Sequence, residues 1–140
     1  MKILLPVDGS EYTRRMLAYI AAHNELLGAG HEYVAFTAVA PIPAHAAQHL
    51  GRNMLDEYYR EQAELVLKPV KTFAEQNGWT LRTAWKCGHA ADVIAAFAET
   101  EHPGLIVMGT HGHSALGNVL LGSVTTGVLA RCKAPVLLVR

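Results

Sequence analysis

Three glycines and a serine, in the run Gly109-x2-Gly112-x9-Gly122-Ser123, have the spacing of a loop that folds over a phosphate. Glycine lets backbone approach a ligand closely and adopts positive φ at little steric penalty. The run directly follows the apolar stretch Leu105–Met108, which reads as a buried strand, and leads into Val124–Arg131, which reads as a helix. Free N–H groups at a helix start point at an anion, and the helix dipole favours negative charge there. A loop whose glycines serve only tight turns has the same spacing.

Asp8, at the end of the apolar run Ile3–Val7, is a second chemistry-bearing residue. A carboxylate there accepts hydrogen bonds from ribose hydroxyls or holds a Mg²⁺ ion beside phosphates. The other reading of Asp8-Gly9-Ser10 is a turn and helix cap, which suits Asp well. Eight histidines raise the question of a metal. His111 and His113 sit inside the glycine loop, and His45 and His49 are four apart. Neither pair has a carboxylate or thiol at ligand spacing, so the loop histidines read as hydrogen-bond donors to phosphate, stronger when protonated.

Several familiar chemistries do not fit. Gly117 to Ser123 has the G-x-x-x-x-G spacing of a P-loop, but Ser123 stands where the phosphate-binding lysine belongs. No G-x-G-x-x-G follows a strand, and no G-x-S-x-G elbow occurs. Ser123 has no base assignable from sequence. Cys87 and Cys132 stand in no metal or redox spacing, so they read as reduced thiols of a cytosolic protein.

The elements that must position these residues alternate. Strands are expected over Ile3–Val7, Tyr33–Val39, Trp79–Trp85, Leu105–Met108 and Pro135–Val139. Helices are expected from Ser10, as N-cap, to about Leu27, from Asn53 to about Gln76, from Ala90 to about Thr100, and from about Ser123. In the second helix Met54, Leu55, Tyr58, Leu65, Val66, Val70 and Phe73 are expected to face inward, with Pro69 kinking or interrupting it near Leu65. Asn77-Gly78 ends it, and Pro41 to Gly51 reads as a loop. Strands apolar on both faces, alternating with helices, indicate a parallel α/β sheet. Ligands bind such sheets at the carboxyl ends of the strands, where the strand order reverses.

At 140 residues, 51% of them hydrophobic, the chain is expected to form one domain, residues 1–140. Twelve basic and twelve acidic residues leave no net charge to recruit nucleic acid or an anionic membrane. No apolar run approaches the roughly 20 residues of a membrane span, and the start is too soon interrupted for a signal peptide.

Three stretches resemble the universal stress proteins, over essentially the whole chain. They are Ile3-Leu4-Leu5-Pro6-Val7-Asp8-Gly9-Ser10-Glu11, then Val107-Met108-Gly109-Thr110-His111-Gly112 with Leu121-Gly122-Ser123-Val124-Thr125, and Ala134-Pro135-Val136-Leu137-Leu138-Val139. The resemblance implies an open five-stranded parallel sheet in the order 3-2-1-4-5, Rossmann-like and of the adenine nucleotide alpha hydrolase type, with helices on both faces. It implies ATP, with Pro6, Val7 and Asp8 lining the adenine and ribose site and Val39 at its base. Gly109, Gly112, Gly122, Ser123 and Val124 then hold phosphates, and Thr110, His111 and His113 belong to the same loop. It also implies a homodimer through antiparallel pairing of Val136–Val139, an edge that would otherwise lie open. One departure stands out. Many members carry Arg or Lys after the second glycine, whereas this chain has His113, and no Lys or Arg between Gly109 and Ser123. The function expected is that of a cytosolic ATP-binding regulator or sensor in stress adaptation. The alternatives are a slow Mg²⁺-dependent ATP hydrolase and a nucleotide-free interaction module.

Overall fold

The computed structural model describes residues 1–113 and 117–140. Ser114, Ala115 and Leu116, in the middle of the glycine loop, lie outside the described residues. Along the chain come β1 (Lys2–Pro6), α1 (Glu11–Ala22), α2 (Asn24–Leu27), β2 (Glu32–Val39), α3 (Ala44–Ala47) and α4 (Arg52–Gln76). They are followed by β3 (Thr80–Cys87), α5 (Ala90–Glu101), β4 (Leu105–Gly109), α6 (Ser123–Arg131) and β5 (Val136–Val139). The five strands form one sheet in the order β3-β2-β1-β4-β5, every pair parallel. This is the α/β sheet and strand order expected.

The sheet is covered on both faces, which is why its central strands are apolar at successive positions. Ile3, Leu5, Tyr33, Ala35 and Val107 point to the face packed by Met16, Leu17 and Ile20 of α1 and by Leu67 and Val70 of α4. Leu4, Val34, Phe36, Ile106 and Met108 point to the other, against Ile94 and Ala98 of α5 and Val128 of α6. The Tyr33 hydroxyl is buried among these groups and donates to the carbonyls of Leu27 and Gly28. Burial raises its pKa to about 12.

Several local expectations change. The first helix does not run unbroken to Leu27. His23 leaves the helical region, and α2 restarts so that Leu27 docks into the core under Tyr33. Ser10 takes the N-cap position, but its hydroxyl makes no cap bond and is buried without a partner among the described residues. The segment after Pro41 contains the short helix α3, tied down where the Ile42 N–H donates to the Tyr59 hydroxyl.

Helix α4 continues through Pro69 without interruption. Pro69 and Leu65 are both exposed, so the Leu65 carbonyl freed by proline lies on the solvent side. The inward stripe agrees with the expected one at Val70, which is buried, and at Leu55, Val66 and Phe73, which pack against the core, and differs elsewhere. Met54, Tyr58 and Leu65 are exposed, while Tyr59, Ala63, Leu67, Val70 and Ala74 are buried. Two alanines sit in the true stripe, and small residues weigh little in an apolar count although they let a helix pack close to a sheet.

Candidate functional site

Strand order reverses beside β1, whose neighbours are β2 on one side and β4 on the other. The carboxyl ends of β1 and β4 open there into a cleft of about 740 Å³, inside the roughly 300–1,000 Å³ of small-molecule sites. Ten of the twelve sequence-predicted site residues line it: Pro6, Val7, Asp8, Gly109, His111, Gly112, His113, Gly122, Ser123 and Val124. Residues separated by about a hundred positions in the chain are thus brought to one rim.

Val39 and Thr110 are not among the lining residues. Side chains alternate along a strand, so Val39 turns into the core under α4 while Ala38 and Ala40 face the cleft. Thr110 is buried as a fixture. Its N–H donates to the Val139 carbonyl, and its own carbonyl accepts from the Gly122 N–H at 2.8 Å. Sequence reasoning also missed Thr13, Ala90, Ile94, Met108, Val119 and Thr125, all of which line the cleft. Ile94 and Met108 were legible as core positions, but no local pattern marks a core side chain that also lines a cleft.

The glycines have specific reasons. A Cβ at Gly109 would fall 2.7 Å from Tyr12 Cβ, so only glycine lets α1 pass the end of β4 this closely. A Cβ at Gly112 would land on Asp8 Oδ2, inside contact distance. At Gly122 it would meet the His111 Cα at 3.3 Å, where the two arms of the loop cross.

Helix α6 starts at the cleft. Gly122 is its N-cap residue in extended conformation, and its N–H is taken by Thr110. The next three N–H groups, of Ser123, Val124 and Thr125, belong to the first turn, whose donors have no intrahelical acceptor. All three residues line the cleft, so the positive end of the α6 dipole opens into it. The Thr125 hydroxyl, buried beneath, bonds the carbonyls of Gly109 and Thr110 at 3.0 and 3.2 Å.

Asp8 fills the turn role weighed for it. Its Oδ1 accepts from the Ser10 N–H at 2.9 Å and from the Thr13 hydroxyl at 3.0 Å, which closes the turn leading into α1. Its Oδ2 faces Gly112 and the cleft. Turn and ligand acceptor are therefore compatible, one oxygen to each.

The loop histidines lie at the cleft with their Nε2–H bonds directed at backbone. His113 Nε2 donates to the Asp8 carbonyl at 2.7 Å and pins the loop to the end of β1. His111 Nε2 donates to the Val119 carbonyl at 2.6 Å, which leaves Nδ1 to accept from the Thr110 hydroxyl at 3.0 Å. Their first role is thus to brace the loop, and His113 could donate to a phosphate oxygen through Nδ1 only as the imidazolium. No Lys or Arg lines the cleft. Arg15 and Arg140 line a smaller cleft of about 400 Å³ that shares His111 and Val119 with it. Arg15 is paired there with Glu11 at 2.6 Å.

Among the described residues no group of three His, Cys, Asp or Glu side chains is placed to hold a metal ion. Cys87 and Cys132 are free thiols, and burial raises the pKa of Cys132. No helix among the described residues is long and apolar enough to cross a membrane.

The whole chain, residues 1–140, matches the model of the Universal stress protein family. Universal stress protein MJ0531 of Methanocaldococcus jannaschii is 32% identical over 99% of this chain and 81% of its own length. A universal stress protein of Thermus aquaticus is 33% identical over 99% of this chain and 97% of its own. Among solved structures, protein MJ0577 superposes with a TM-score of 0.83 at 29% identity, over 99% of this chain and 94% of that one. Two further structures share the fold. A universal stress protein from Archaeoglobus fulgidus in complex with dAMP has a TM-score of 0.71 at 20% identity, covering 100% and 98%. An Arabidopsis thaliana family protein with AMP bound has a TM-score of 0.72 at 14% identity, covering 99% and 90%.

Proposed function

The chain belongs to the universal stress protein family, and from that premise we propose that it binds an adenine nucleotide, ATP in particular, in the cleft between β1 and β4. In this reading the protein is a cytosolic stress-response regulator that works by occupancy, as one domain spanning residues 1–140. The carrying observation is the convergence on one cleft of the α6 N-terminus, the glycine loop and the Asp8 carboxylate, whose Oδ2 lies beside Gly112. The AMP and dAMP of two fold neighbours support the ligand class.

The chemistry divides along the cleft. Pro6, Val7, Ala38, Ala40, Ile94 and Met108 offer an apolar slot for a planar base. Asp8 Oδ2 accepts from the ribose. The N–H groups of Ser123, Val124 and Thr125, with the Ser123 hydroxyl, meet phosphate oxygens. Without Lys or Arg in the loop, backbone dipoles carry most of the phosphate binding.

A second reading, slow ATP hydrolysis, rests on Asp8 as the one carboxylate lining the cleft among the described residues. Bound Mg²⁺ would there supply charge neutralisation, held mainly by phosphate and water oxygens with Asp8 Oδ2 as its single protein carboxylate. Calorimetric titration with ATP and AMP tests binding, with Gly122→Val as control. A valine side chain against the His111 backbone should weaken both nucleotides at least about tenfold. Equal affinity in the two chains would refute the site. Phosphate release under single turnover, abolished in Asp8→Asn, would favour the hydrolase over the regulator.

A further inference from the structure

Asp8 is held by more than its own turn. Thr13, in the first turn of α1, is 6% exposed and lines the cleft. Its hydroxyl oxygen accepts from the Asp8 N–H at 3.1 Å and donates its proton to Asp8 Oδ1 at 3.0 Å. The Ser10 N–H donates to the same oxygen at 2.9 Å. Two donors occupy Oδ1, so the carboxylate plane is fixed from both sides of the turn. Oδ2 is the oxygen turned to Gly112.

We infer that Thr13 is the positioning residue for Asp8, and that it confines this carboxylate to one working oxygen that reads a ribose hydroxyl. The inference rests on the nucleotide reading above and adds to its ribose contact the residue that sets that contact's geometry. The geometry distinguishes two uses of Asp8. Chelating a cation through both oxygens requires Oδ1 to shed two hydrogen bonds, one from a backbone N–H. Accepting one hydroxyl at Oδ2 requires no rearrangement. Removing the Thr13 hydroxyl leaves Oδ1 with the Ser10 donor alone and frees rotation about the Cβ–Cγ bond, so Oδ2 no longer waits in one place.

The test compares AMP with 2′,3′-dideoxy-AMP, which lacks the hydroxyls in question, by calorimetric titration of the intact chain. Thr13→Val keeps the side-chain shape and should weaken AMP roughly fivefold to tenfold, the scale of one ordinary hydrogen bond. Thr13→Ser keeps the hydroxyl and should bind AMP within about twofold of the parent. Dideoxy-AMP should bind all three chains alike, more weakly than AMP binds the parent. Thr13→Ala should reproduce the selectivity of the valine variant and takes its place if that chain does not fold. Equal losses for both nucleotides would make Thr13 a merely structural residue and overturn the inference. So would an unchanged AMP affinity in Thr13→Val, or a failure of serine to restore it. A parent chain that binds both nucleotides equally overturns the ribose contact and leaves nucleotide binding standing. A parent chain that binds neither overturns both.

Discussion

Thr125 carries a residue-scale consequence that does not depend on any ligand. It is 2% exposed, and its hydroxyl bonds the carbonyls of Gly109 and Thr110, tying the first turn of α6 to the end of β4. Valine has the same shape and no donor. Thr125→Val should therefore lower unfolding stability by about 1–2 kcal/mol, the cost of leaving a buried acceptor short of its partner. Urea denaturation measures it, and a change under about 0.3 kcal/mol would mean that other donors already satisfy both carbonyls. At this scale the sequence is legible only where a residue type advertises its job. Gly109, Gly112, Gly122 and Asp8 do so, because each is unusual where it stands. Thr13 and Thr125 do not, since a threonine in a helix reads as filler until its partner is known. That partner lies across a turn for Thr13, and 15 and 16 residues away for Thr125. Val39 fails differently. The alternation that exposes Ala38 and Ala40 to the cleft is a property of the strand, yet which face the cleft occupies depends on where α5 lies.

Elements are held to the sheet by burial and, at its amino-terminal side, by one charged cluster. Glu101, at the end of α5, accepts from Arg82 of β3 at 2.6 Å and from Lys2 of β1 at 3.2 Å. The Arg82 hydrogen bond is the main reason its carboxyl titrates below the usual value of 4.5, with Lys2 adding to it against partial burial. A depressed folded pKa stabilises the fold above the ordinary value, and the contribution disappears as the pH falls through the folded one. Glu101→Gln should thus be about 1 kcal/mol less stable at pH 7. The gap to the parent should close once the carboxyl is protonated in both states. A gap independent of pH would assign the loss to packing. Element identities were largely legible, because strands buried on both faces stand out as apolar runs between glycine and proline punctuation. What was not legible is rotation. Of the stripe expected on α4, Val70 is buried and Leu55, Val66 and Phe73 pack against the core, but Met54, Tyr58 and Leu65 face solvent and the sheet takes Tyr59, Ala63 and Leu67 instead. With apolar residues on both sides of a helix, the choice is made by the surface it meets.

The whole molecule presents two sheet edges, and they differ in chemistry. The β3 edge carries Arg82 and Lys86, charges of the kind that discourage strand-to-strand association. The β5 edge, Val136-Leu137-Leu138-Val139, carries none, and three of its four residues are only partly buried. An overall charge of zero adds no long-range repulsion between copies. The proposed homodimer therefore pairs β5 with β5, antiparallel about a two-fold axis. The register limits which atoms take part. The carbonyls of Pro135 and Val139 face β4, where they accept from Ile106 and Thr110. Because backbone groups alternate along a strand, those of Val136 and Leu138 face outward. Leu138→Pro removes an outward donor and leaves the β4 ladder intact, a substitution an edge strand tolerates. By sedimentation equilibrium at micromolar concentration the parent chain should be a dimer. The proline variant should shift to monomer while keeping its circular dichroism spectrum. A monomeric parent would remove the dimer, and a proline variant that stays dimeric would move the interface off β5, where the exposed stripe of Met54, Tyr58 and Leu65 on α4 offers another apolar surface.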